Sequence, residues 1–108
     1  MLRCLDYQAI SMNSVPFATL PLRSELLASI ATLAYESMTP VQAQALPHLL
    51  SGKDLIAQAK TGSGKTAAFA IGLLNKLDAQ LYSTQALVLC PTRELAEQVA
   101  AEIRRLAS

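Results

Sequence analysis

The sequence predicts an α/β fold, a parallel sheet with flanking helices, and three observations predict it. Two short apolar runs, residues 54–59 and 86–90, read as strands. Each is followed by turn residues and then by a stretch of helical apolar spacing. From residue 22 onward the elements run α, α, β, α, β, α, which is how an α/β sheet protein opens.

Residues 1–16 carry no clear periodicity. From Leu22 the apolar positions Leu22, Leu26, Leu27, Ile30 and Leu33 fall at helical spacing, with Arg23, Ser24 and Glu25 in the first turn. A second helix is expected from Thr39, with Pro40 as its first residue and Thr39-x-x-Gln42 as a capping box. Pro47 should kink or divide it, because proline removes a helix hydrogen bond. Gly52 should end it in a left-handed conformation. The strand at 54–59 leads through a glycine-rich turn to an apolar helix over 65–77. Residues 81–85 form a loop. Residues 86–90 are apolar throughout, like a strand buried on both faces of a parallel sheet, and Pro91 stops them. The last helix spans 93–106. Its apolar stripe is Leu95, Val99, Ile103 and Leu106, and Glu102 and Arg105 are spaced to pair.

The 108 residues allow one small domain and exclude two full ones. A hydrophobic content of 52% excludes bulk disorder, and no apolar run reaches the ~20 residues of a membrane span. Nine basic residues against eight acidic ones give a formal charge of +1, so bulk charge does not itself point to nucleic acid. Cys4 and Cys90 form no CxxC pair, which removes zinc and dithiol chemistry. The N-terminus lacks a hydrophobic signal core, so a cytoplasmic location is the expectation.

Chemistry concentrates in Ala59-Lys60-Thr61-Gly62-Ser63-Gly64-Lys65-Thr66, between an expected strand and an expected helix. Gly62 and Gly64 permit backbone angles that turn successive N–H groups toward phosphate oxygens. The following helix adds the positive end of its dipole. Lys65 is placed to reach the β- and γ-phosphates and the Thr66 hydroxyl to ligate Mg²⁺. The plainer alternative is a Gly/Ser turn flanked by surface lysines. Ala59 stands where the general pattern has glycine, a departure that points away from many nucleotide kinases.

These eight residues resemble motif I of DEAD-box RNA helicases. Pro91-Thr92-Arg93-Glu94-Leu95-Ala96 resembles motif Ia of that family, and Met38-Thr39-Pro40-Val41-Gln42 resembles its Q motif. Phe17 lies 25 residues before Gln42, the spacing of the family's isolated upstream aromatic. The resemblance covers residues 17–108. It implies an incomplete RecA-like P-loop domain, with residues 1–16 as an extension, 17–52 as the Q-motif helical region and 53–108 as the first half of the ATP-binding domain. Translation from Met12 is one expectation for the start.

It also implies roles. Residues Ala59 to Thr66 would bind ATP with Mg²⁺, Gln42 would hydrogen-bond the adenine edge, and Phe17 would stack on the base. Thr92 and Arg93 would contact the backbone of RNA, ribosomal RNA by resemblance, with no membrane involved. Each role has an ordinary structural alternative: a capping residue for Gln42, a core aromatic for Phe17, a solvated helix-start side chain for Arg93. Ala34 stands where the family has glycine, which would strain the chain if φ is positive there. The family's Asp-Glu-Ala-Asp and Ser-Ala-Thr motifs do not lie in the sequence. Its acids near the end, Glu94, Glu97 and Glu102, share the last helix, and Asp54 begins the phosphate-loop strand opposite the phosphates. The expectation is ATP-dependent helicase ancestry without hydrolysis by this chain alone, with apolar strands exposed. A non-catalytic ATP/RNA-binding fragment and another P-loop enzyme such as a nucleotide kinase are the alternatives.

Overall fold

In the computed structural model the described residues are 2–4, 15–33, 35 and 37–107. The sequence-level questions about Met12 and Ala34 lie outside them. The elements are β1 (Leu2–Cys4), β2 (Val15–Pro16), a 3-10 turn (Phe17–Thr19), α1 (Ser24–Thr32), β3 (Ser37–Met38), α2 (Pro40–Leu50), β4 (Leu55–Ala57), α3 (Lys65–Leu74) and α4 (Arg93–Ala107).

The helices form where local chemistry starts and stops them. At α2, the Thr39 N–H donates to Gln42 Oε1 at 2.9 Å while Thr39 Oγ1 accepts from the Gln42 N–H at 3.4 Å, the expected capping box. Its far end closes by two bonds: Gly52 N–H to Leu49 C=O at 3.1 Å and Lys53 N–H to His48 C=O at 3.1 Å. Gly52 takes φ +84° to make that closure, as a glycine after a helix readily does. Pro47 does not divide α2, which excludes one of the two outcomes expected for it. It is exposed, it costs one backbone bond, and Leu46 and Leu49 beside it keep their packing. α3 ends at Leu74, earlier than expected; Asn75 caps it, and its Oδ1 accepts the Arg23 N–H at the start of α1 at 2.9 Å.

A single core of Phe17, Leu26, Ile30, Met38, Leu46, Ala67, Ala70, Ile71 and Leu106 joins all four helices. Ile30, Leu46, Ile71 and Leu106 are its largest fully buried aliphatics. Each such side chain contributes about 1.5–3 kcal/mol by leaving water. Within α4 the expected stripe holds for Val99 and Leu106, which are buried, and Ile103, which packs against the core. Leu95 stays 38% exposed.

The strands differ from expectation in two places. Residues 86–90 form no strand, while Leu87 and Leu89 are 79% and 83% exposed, as the expectation of exposed apolar segments had it. A strand needs a neighbour to take its N–H and C=O groups, and among the described residues none lies beside it. The phosphate-loop strand β4 does have a partner. It pairs in parallel with β1, Leu2 opposite Leu55 and Cys4 opposite Ala57. Residues 2–4, which showed no sequence signal, therefore have a structural place. A second pairing, antiparallel, sets Val15 opposite Met38 and Pro16 opposite Ser37. It brings the Phe17 turn beside the entry to α2.

Candidate nucleotide site

β4 delivers the chain into residues 58–64, and α3 carries it away. Within that turn the Ser63 N–H donates to the Lys60 C=O at 3.1 Å. Gly62 and Gly64 hold φ +84° and +93°, the left-handed region that side chains resist. The two glycines have different surroundings. A Cβ at Gly62 would meet nothing within 4 Å, so open space lies beside the loop there. A Cβ at Gly64 would lie 2.5 Å from Gln42 Nε2 and 3.0 Å from Thr39 Oγ1.

That closeness reflects a bond. Gln42 Nε2 donates to the Gly64 C=O at 3.1 Å, and Gly64 caps the start of α3. Gln42 is 2% exposed. Its carboxamide thus spans two helix starts, accepting from Thr39 at α2 and donating to Gly64 at α3. The sequence offered capping and adenine recognition as alternatives for this residue. The structure shows the cap and leaves the amide one further hydrogen and one further lone pair.

A triphosphate and its cation can be tested against this geometry. Gly62 borders open space, and Ser63 Oγ is buried without a hydrogen-bond partner. Such an orphaned hydroxyl beside an open loop at a helix N-terminus suits a phosphate oxygen. Lys65 and Thr66, at the first turn of α3, are partly exposed. The residues present therefore fit the group: backbone N–H groups, Ser63 and Lys65 for phosphate, Thr66 for the cation. No cluster of three or more His, Cys, Asp or Glu that could hold a metal occurs among the described residues, so Thr66 would share the ion with phosphate oxygens.

Phe17 is 3% exposed, inside the core, its ring 6.3 Å from that of Tyr35 at 61°. A base could stack on it only after a ring face is uncovered. Thr92 and Arg93 are exposed at the start of α4. Thr92 also caps that helix, its Oγ1 accepting the Leu95 N–H at 3.1 Å, a role the sequence reading missed although Thr before a helical stretch signals it. A cleft of about 190 Å³ opens where α3 meets α4, lined by Thr66, Leu95, Gln98, Val99 and Glu102. It sets the first turn of the phosphate-loop helix against the helix that begins at Arg93.

Tyr35 was also missed. Its hydroxyl donates to Glu102 Oε1 at 2.7 Å and accepts from Arg105 Nη2 at 3.2 Å. Glu102 and Arg105 pair at 3.7 Å, as their spacing predicted. The bond to Glu102 holds the Tyr35 hydroxyl above its ordinary pKa; burial and the carboxylate's charge add to this, and Arg105 opposes it.

Comparison with known proteins gives the family and the fold. Residues 39–108 match the family model described as DEAD/DEAH box helicase. The chain is 68% identical over 81 residues to the Escherichia coli ATP-dependent RNA helicase DbpA, covering 75% of this chain and 18% of that protein. It is 49% identical over 90 residues to the Bacillus cereus DEAD-box ATP-dependent RNA helicase CshA, covering 83% of this chain and 17% of the relative. Among solved structures, a DEAD box protein from the hyperthermophile Methanococcus jannaschii superposes with a TM-score of 0.80 at 40% identity, over 86% of this chain and 26% of that one. Saccharomyces cerevisiae Dbp5 bound to RNA and ADP BeF3 superposes at 0.81 with 36% identity, over 85% of this chain and 24% of that one. The chain thus spans less than a fifth of these two relatives' length, and its elements are part of a RecA-like domain. With a left-handed glycine loop held by a buried glutamine, and a family match over most of its length, the chain belongs to the DEAD/DEAH box helicases.

Proposed function

We propose that this chain is the N-terminal, ATP-binding portion of an ATP-dependent RNA helicase that acts on ribosomal RNA in the cytoplasm. The observation that carries the reading is the bond from Gln42 to the Gly64 carbonyl. It ties the residue proposed to read the base to the loop proposed to hold the phosphates. The loop N–H groups and Ser63 receive phosphate oxygens, Lys65 neutralises their charge, and Thr66 offers its hydroxyl to Mg²⁺. The remaining donor and acceptor of Gln42 match adenine, which presents one of each on its N6/N7 edge; guanine presents two acceptors there. Bound Mg²⁺ supplies charge neutralisation at the phosphates. Thr92 and Arg93 meet RNA phosphates at the start of α4, where backbone N–H groups also favour an anion. The ribosomal substrate rests on the likeness to DbpA alone.

Hydrolysis is a separate matter. The one acid lining the cleft beside Thr66 is Glu102, and its carboxylate is engaged by Tyr35 and Arg105. The chain by itself therefore binds nucleotide without turning it over. Equilibrium binding of fluorescent ATP and GTP analogues tests the reading: preference for the adenine nucleotide, abolished by Lys65→Ala, is the expected result. Equal affinity for both nucleotides, or no loss with Lys65→Ala, would refute it.

A further inference from the structure

We infer that Tyr35 is a positioning residue that relays nucleotide occupancy from Phe17 to helix α4. The inference rests on the reading of Phe17 as the aromatic beneath the base. Phe17 is 3% exposed, and stacking requires one of its faces to be freed. Its ring packs edge-on against Tyr35, so any turn of the Phe17 ring presses on that neighbour. Tyr35 is not free to yield. Its hydroxyl is held by Glu102 at 2.7 Å and by Arg105 at 3.2 Å, and those two residues are paired on one helix face. Glu102 lies nine residues along α4 from Arg93, about 13 Å on a continuous helix. The same Glu102 lines the cleft opposite Thr66. Displacement at the base is thus carried through an apolar edge contact and a charge-assisted hydrogen bond to the helix that bears the proposed RNA contacts.

Hydrogen exchange of the 108-residue chain, with and without a non-hydrolysable ATP analogue, tests the relay. In the parent chain the nucleotide should change exchange of the α4 amides 97–107 by about 3-fold or more. In Tyr35→Phe, which keeps the ring and removes the hydroxyl, that response should fall below about 1.5-fold, with nucleotide affinity within about 2-fold of the parent. Glu102→Ala should behave the same way and decides the matter if Tyr35→Phe does not fold. Glu102→Gln keeps an acceptor oxygen for the tyrosine and should restore at least half of the response, a rescue that mere loss of packing would not give. A parent chain that binds no nucleotide overturns the function proposed above and the relay with it. A parent that binds nucleotide but answers at α4 no differently from Tyr35→Phe or Glu102→Ala overturns the relay alone.

Discussion

Replacing Gly64 by alanine should destabilise the chain more than the same change at Gly62, and the difference reports chiefly on the contact with Gln42. Both glycines are left-handed, at φ +93° and +84°, so each alanine costs about 1–2 kcal/mol in backbone strain. At Gly62 that is the whole cost, since the new Cβ meets nothing within 4 Å. At Gly64 the Cβ would sit 2.5 Å from Gln42 Nε2 and 3.1 Å from its Cδ, so the carboxamide must move. Moving it breaks the 3.1 Å bond to the Gly64 carbonyl and disturbs the 2.9 Å bond to Thr39. Losing these adds about 1–2 kcal/mol, a hydrogen bond in each case contributing about 0.5–1.5. Urea unfolding followed by helical circular dichroism should therefore place Gly64→Ala about 2–4 kcal/mol below the parent and Gly62→Ala about 1–2 below. In a Gln42→Ala background most of the Gly64 excess should vanish, the remainder reflecting the 3.0 Å approach to Thr39 Oγ1. Equal losses in the parent background, or a Gly64 excess undiminished by Gln42→Ala, would refute the reasoning.

Three other outcomes follow from the same structure. Thr92→Ala should lower stability by about 1 kcal/mol through loss of the α4 cap, seen as a lower urea midpoint with an unchanged slope. Tyr35 gives an alkaline dependence: its folded-state pKa lies above the ordinary 10.0, so its contribution is complete below that value and is lost as pH rises through the folded pKa. Stability profiles from pH 9 upward should fall more steeply for the parent than for Tyr35→Phe, and parallel profiles would contradict this. Leu87→Lys and Leu89→Lys should leave the unfolding midpoint within about 0.5 kcal/mol of the parent, because both side chains are exposed, while reducing self-association in sedimentation.

What the sequence made legible was local. The capping box at Thr39, the glycine ending of α2, the loop from Ala59 to Thr66 and the Glu102–Arg105 pair each depend on residues within a few positions of one another. What it hid was nonlocal. An apolar run such as 86–90 carries the composition of a buried strand, but strand pairing belongs to the neighbour, and no described residue supplies one. The pairing of Leu2–Cys4 with β4 joins segments more than fifty positions apart, with too few residues to show a period. The Tyr35–Glu102 bond spans 67 positions, and the reach of Gln42 to Gly64 spans 22. At Pro47 the helix runs on undivided: the loss of one hydrogen bond was outweighed by the packing of the residues beside it.

The double engagement of Gln42 has one more consequence. A primary amide is ordinarily free to turn over, exchanging its oxygen and nitrogen at little cost. Here Thr39 requires the oxygen on the α2 side and Gly64 requires the nitrogen on the loop side, and the reversed amide would set donor against donor and acceptor against acceptor. The side chain therefore has a fixed polarity before any ligand arrives. A heterocycle reaching it would find donor and acceptor already in order, with no rotamer to choose and little entropy left to lose.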